Sequence, residues 1–197
     1  HSIGRKSVPV KIEIIRPPVV FIHGLGDKAT CWYDLDQKLV NDGLYKDGIN
    51  FRLDYSATNT SSFSTNYPRV GIGIRTAQRR AKQKGFVAIK CDLVGHSMGG
   101  ILSRLYVQNG GESNNVNRII TVNTPHAGSE FGDAVMAHKI IVGNLTRAFY
   151  WNLNLDAIRD LAVNSEAIAN LNTIIGNGEN HDIPVYALAT ESNLTLP

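Results

Sequence analysis

No apolar run in this sequence approaches the ~20 residues that a helix needs to span a bilayer, so none of its 197 residues predicts a membrane-crossing helix. Cysteine is scarce, and two residues cannot make a disulfide framework. Cys91 lies in a strand-like apolar run and reads as a core thiol, while Cys31 begins a helix-like stretch; neither fixes the compartment. A large charge of one sign is also lacking. Lys and Arg number 20 against 17 Asp and Glu, leaving a net +3. That is too little to argue for a nucleic-acid partner, and no basic tail stands out. The chain opens on His1 with neither an initiator methionine nor a signal peptide, which predicts processing or excision from something longer. A secreted or extracellular location is favoured, with the oligomeric state left open.

What is present has an ordinary globular balance, 43% hydrophobic and 19% charged residues, and the length suits a single domain over 1–197 with a substantial core. One basic stretch, RTAQRRAKQKG at 75–85, gathers Arg75, Arg79, Arg80, Lys82 and Lys84, with Arg69 just upstream. It reads as a solvated helix face. Three Asn-x-Ser/Thr matches, at Asn59, Asn144 and Asn193, are what an Asn-rich chain produces by chance.

Short β-like runs alternate with helical patterns, which predicts an α/β fold around a mostly parallel sheet. The strand candidates are an alternating edge strand at 8–15, a fully apolar one at Val19 to Ile22, and further runs at 49–55, 87–94, 118–123 and 183–190. The clearest helix follows 87–94, with Met98, Ile101, Leu102, Leu105 and Tyr106 at helical spacing and Asn109-Gly110-Gly111 as its stop. Between the last two strands, FGDAVMAHKIIVG and LDAIRDLAVNSEAIANLN read as separate helices in an insertion at about 130–180, long for a simple crossover.

Residues 91–102, CDLVGHSMGGIL, put Ser97 between Gly95 and Gly99 at a strand–turn–helix junction. Gly-x-Ser-x-Gly alone matches by chance in roughly one chain in twenty of this length, so the context carries the reading. Such a junction holds a serine in a strained conformation with its hydroxyl above the sheet edge, where it can act as a nucleophile. The two glycines are expected where side chains would jam strand against helix. A second element, HGLG at 23–26, follows the apolar strand. Acyl transfer needs two N–H donors for the developing oxyanion. The amide of Met98, next to the nucleophile, and that of Leu25 in HGLG are placed for this, since parallel strands bring both loops to one edge.

VVFIHGLG, DLVGHSMGG and TVNTPHAGS at 121–129 together resemble the α/β-hydrolase fold, and most of all bacterial triacylglycerol lipases and related carboxylesterases, over roughly residues 17–190. The resemblance implies a serine esterase or lipase, with Ser97 as nucleophile and Leu25 and Met98 as oxyanion donors. His23, Gly24, Gly95, Gly99 and His126 support the motifs, and lid helices fall in the insertion. It implies no metal or organic cofactor. The partner is an ester or lipid substrate, with transient contact at a lipid interface and no nucleic acid.

The family order is serine, acid, histidine. Glu191, after the strand at 183–190, is the best-placed acid. None of the histidines after Ser97 fits the base. His181 precedes its strand, His138 lies within an insertion helix, and the counterpart of His126 is structural. The chain stops at Pro197, one strand and one histidine loop short of the family pattern, so the C-terminal part of the fold and the catalytic histidine are expected to be missing. Two other readings stay open: a thioesterase, acyltransferase or amidase on the same fold, or a binding domain that has lost its base.

Overall fold

The structure is a computed structural model that describes residues 12–109, 113–130, 155–173 and 183–190. Among the described residues five strands, β1 (Val19–Ile22), β2 (Phe51–Leu53), β3 (Cys91–His96), β4 (Val116–Val122) and β5 (Val185–Leu188), form one sheet in the order β2-β1-β3-β4-β5. Every pairing is parallel. The helices are α1 (Tyr33–Asn41), α2 (Phe63–Asn66), α3 (Pro68–Gln83), α4 (Met98–Gln108), α5 (Asp156–Leu161) and α6 (Glu166–Thr173). This is an α/β arrangement built on a parallel sheet.

β1 is apolar throughout because both of its faces are covered. Val20 and Ile22 join Leu53 and Leu93 against Ile74 and Ala77 of α3 and Ile101 and Leu102 of α4. Val19 and Phe21 join Val94 on the opposite face, against Trp32. The Cys91 thiol is buried in the first of these layers, and burial pushes its pKa up to about 12.

Two strand expectations and one helix expectation need correction. The run at 8–15 is not an edge strand over its described part: residues 12–15 carry no strand, and Ile12 and Ile14 are 80% and 92% exposed. Its alternation offers one apolar face, but Pro17 and Pro18 remove the backbone donors that would carry a ladder into β1. β3 begins at Cys91 rather than Val87. The chain leaves α3 through Gly85 at φ +84°, and the Gln78 side chain then holds the Ile89 carbonyl at 2.6 Å. That leaves Val87 and Ile89 in solvent. LDAIRDLAVNSEAIANLN is two helices, α5 and α6, broken where Ala162 turns to extended backbone. The other insertion helix lies outside the described residues.

The basic stretch is indeed a helix face. Arg75, Arg79 and Lys82 are exposed on α3, and Arg80 turns inward to donate to the Asn50 carbonyl over the ring of Phe51.

Candidate active site

β3 and β1 are neighbours, so the loops after them meet at one edge of the sheet. Ser97 links β3 to α4 at φ 52°, ψ −124°, a backbone conformation that costs a non-glycine residue about 1–3 kcal/mol. The turn is held from both sides. The Ser97 amide donates to the Val122 carbonyl at the end of β4, and its carbonyl accepts from Gly100 at 3.0 Å.

The glycines around it are dictated by close approach. A Cβ on Gly95 would lie 2.4 Å from the Gly100 nitrogen, and one on Gly99 would lie 2.3 Å from the Ile22 carbonyl oxygen at the end of β1. Gly100, which the sequence reading passed over, is equally constrained: a Cβ there would stand 2.1 Å from Oγ1 of Thr124. The loop after β4 therefore seats directly on the first turn of α4. A Cβ on Gly24 would fall 3.1 Å from that of Ser97 and 3.2 Å from Nδ1 of His96. HGLG and the serine turn, distant in sequence, are in contact.

Met98 opens α4, so its N–H has no partner within the helix. Leu25 lies in the turn after β1. Among the described residues neither of these two N–H groups donates a hydrogen bond.

The described histidines are committed elsewhere. His23 is fully buried and stacks on Tyr55 with ring centroids 4.0 Å apart. Its Nε2 accepts from the Tyr55 amide at 3.2 Å, so Nδ1 carries the proton and donates to the Gly24 carbonyl at 3.0 Å. The Tyr55 hydroxyl in turn donates to the His23 carbonyl. Burial, outweighing its neighbours, pushes the His23 pKa below the ordinary value and keeps the ring neutral.

His126 sits in the loop after β4. A guanidinium can only donate, so Nδ1 accepts from Arg104 at 3.0 Å and Nε2–H is given to Oγ1 of Thr121 at 3.1 Å. Burial first, then the Arg104 charge, lowers its pKa. Arg104 is itself buried on α4; it donates to the Leu171 carbonyl and to Oδ1 of Asn172 on α6, and Asn172 donates to the His126 carbonyl. His126 thus ties α4, β4 and the insertion together. His96 meets the edge of Trp32 at 6.5 Å.

Among the described residues, no histidine ring is hydrogen-bonded to the Ser97 hydroxyl. Glu191, His138 and His181 lie outside those residues. Asp160 of α5 is partly buried and accepts from the Phe63 amide at 2.7 Å. Burial holds its carboxyl above the usual range. No group of His, Cys, Asp and Glu that could hold a metal ion occurs among the described residues, and no helix among them is long and apolar enough to cross a membrane.

Solved structures share this arrangement. The mature form of the Bacillus licheniformis lipase BlEst2 superposes with a TM-score of 0.60 at 22% identity, over 91% of this chain and 68% of that one. The propeptide form of BlEst2 gives 0.62 at 23% identity, over 87% and 35%. The phospholipase PlaB from Legionella pneumophila gives 0.60 at 16% identity, over 88% and 39%. The chain therefore spans between 35% and 68% of the length of these proteins, and the likeness establishes the α/β-hydrolase fold. In sequence, the model of the family described as Palmitoyl protein thioesterase matches residues 18–171, from the start of β1 through both loops into the insertion. The chain belongs to the palmitoyl protein thioesterase family.

Proposed function

We propose that this chain is a serine hydrolase of carboxylic esters and thioesters that works through an acyl-enzyme on Ser97. The observation that carries the reading is the backbone of Ser97 itself. A serine is kept at φ 52° between glycines that are packed against backbone, a strained conformation of the kind that clusters at active sites.

In the proposed reaction, Oγ of Ser97 forms a bond to the acyl carbonyl carbon as its proton passes to a histidine base. The carbonyl oxygen becomes an oxyanion held by the N–H groups of Leu25 and Met98. Collapse breaks the bond to the alcohol or thiol, which leaves with the proton, and water then hydrolyses the acyl-enzyme. The base is a residue other than His23, His96 and His126. The first and last of these have both ring nitrogens occupied, and His96 precedes the nucleophile on its own strand. Glu191 is the proposed acid, and no cofactor takes part.

The motif resemblance to bacterial lipases supports oxygen esters, and the family match supports thioesters. Oxygen-ester and thioester hydrolysis can be measured side by side, with p-nitrophenyl butyrate and an S-acyl thiol. In a protein that carries the catalytic histidine, a fluorophosphonate probe should label the wild type and leave Ser97→Ala unlabelled. Labelling that persists in Ser97→Ala would remove the assignment.

A further inference from the structure

We propose that Asn59 is a positioning residue that aims the Leu25 N–H into the oxyanion site. The proposal rests on the reading of Ser97 and Leu25 given above. Asn59 follows β2 and a single turn of 3₁₀ helix (Ser56–Thr58), and only 4% of it is exposed. Its Nδ2 donates to the Gly24 carbonyl at 2.9 Å, and its Oδ1 accepts from the Gly26 amide.

These two contacts bracket Leu25. The Gly24 carbonyl and the Leu25 N–H belong to one planar peptide group and point in opposite directions, so fixing the carbonyl fixes where that N–H aims. The Gly26 amide belongs to the next peptide group. One side-chain amide therefore holds both peptide planes that flank the Leu25 Cα. Two further donors reach the same Gly24 carbonyl, Nδ1 of His23 at 3.0 Å and the Asp27 amide at 3.4 Å, but of the three only Asn59 also takes the Gly26 amide.

Asn59 is held in turn from outside the site. The Asn66 side chain donates to the carbonyls of Thr58, Ser61 and Ser62. The Thr60 carbonyl accepts from the Ala157 amide of α5 at 3.0 Å, and Asp160 of the same helix takes the Phe63 amide. The insertion thus braces the loop that braces Leu25. This arrangement also rules Asn59 out as a glycan acceptor in the folded chain, because its nitrogen is buried and engaged.

The test compares wild type, Asn59→Ala and Asn59→Asp in a protein that carries the catalytic histidine, with turnover of p-nitrophenyl butyrate expressed per serine titrated by a fluorophosphonate. Losing one oxyanion donor costs about 10²–10³ in kcat. Asn59→Ala should therefore lose about 10²-fold in kcat per titrated site while KM changes by less than about threefold. A merely structural role would lower the titratable fraction and leave per-site turnover intact.

Asn59→Asp should be similarly impaired at pH 8, where a carboxylate faces the Gly24 carbonyl. Relative to wild type it should recover as the pH falls to 5, since a protonated carboxyl can again donate to that carbonyl. Per-site turnover within threefold of wild type in both variants overturns the proposal. In that protein a wild type no faster than Ser97→Ala would instead overturn the reading of the site, whatever Asn59 does.

Discussion

At Ser97 the chain accepts a conformational cost that glycine would avoid. The strain at φ 52° is worth about 1–3 kcal/mol, and glycine gives back about 0.5–1 kcal/mol of it in backbone entropy. Ser97→Gly should therefore be more stable than Ser97→Ala, which keeps the strain and also loses the hydroxyl. The expected difference is roughly 1 kcal/mol, or about 2–4 °C in Tm for a chain of this size. Thermal unfolding followed by circular dichroism measures it, and equal Tm values for the two variants would show that the turn is relaxed. Both variants should be inert to the fluorophosphonate.

At the scale of elements, α4, β4 and α6 are joined by one buried polar cluster rather than by apolar packing. Arg104 has three acceptors there, His126 Nδ1, the Leu171 carbonyl and Asn172 Oδ1, and no carboxylate among the described residues bonds to it. Protonating His126 would both remove an acceptor and set two cations side by side. Its pKa is lowered on folding, as is that of His23. At these two rings the folded chain therefore binds fewer protons than the unfolded one below the free-histidine value of about 6.5. The stabilisation is complete above that pH and is lost as the pH falls through the lowered folded values. Tm should drop between pH 7 and pH 5. In His126→Gln, which keeps an oxygen for Arg104 and cannot titrate, the drop should be smaller. An unchanged pH profile in that variant would place the titration elsewhere.

Across the whole molecule, the sheet is unevenly covered. β1 and β3 are enclosed on both faces, whereas every residue of β5 is exposed, with Val185, Tyr186 and Leu188 at 50%, 53% and 60%. Among the described strands β5 is also the last in the sheet order. An open apolar edge recruits other strands, so the 197-residue chain should self-associate as its concentration rises. Sedimentation velocity should show the average mass climbing with concentration. Tyr186→Lys with Leu188→Lys should hold the chain monomeric over the same range. A wild-type chain that stays monomeric would mean that this edge is protected in solution.

The sequence alone determined the alternation of strand and helix, the burial of the run Val19 to Ile22, and the strand–turn–helix unit at 91–108. These follow from hydrophobic period and from glycines at turns, both local properties of the chain. It also identified the two loops at 23–26 and 95–99, whose meeting follows from parallel pairing of the strands before them. The alternating run at 8–15 misled, because a β pattern says nothing of whether a partner strand is within reach. Only the tertiary structure gave Gly100 its necessity, since Thr124 presses on it from a loop that sequence distance does not relate to α4. The same holds for Asn59, whose signal in the sequence is a chance glycosylation match. It holds too for Arg104, an ordinary cation on a helix until α6 and His126 close over it. A polar residue acquires its role from whichever donors and acceptors the fold brings within about 3 Å of it, and no periodicity encodes that distance.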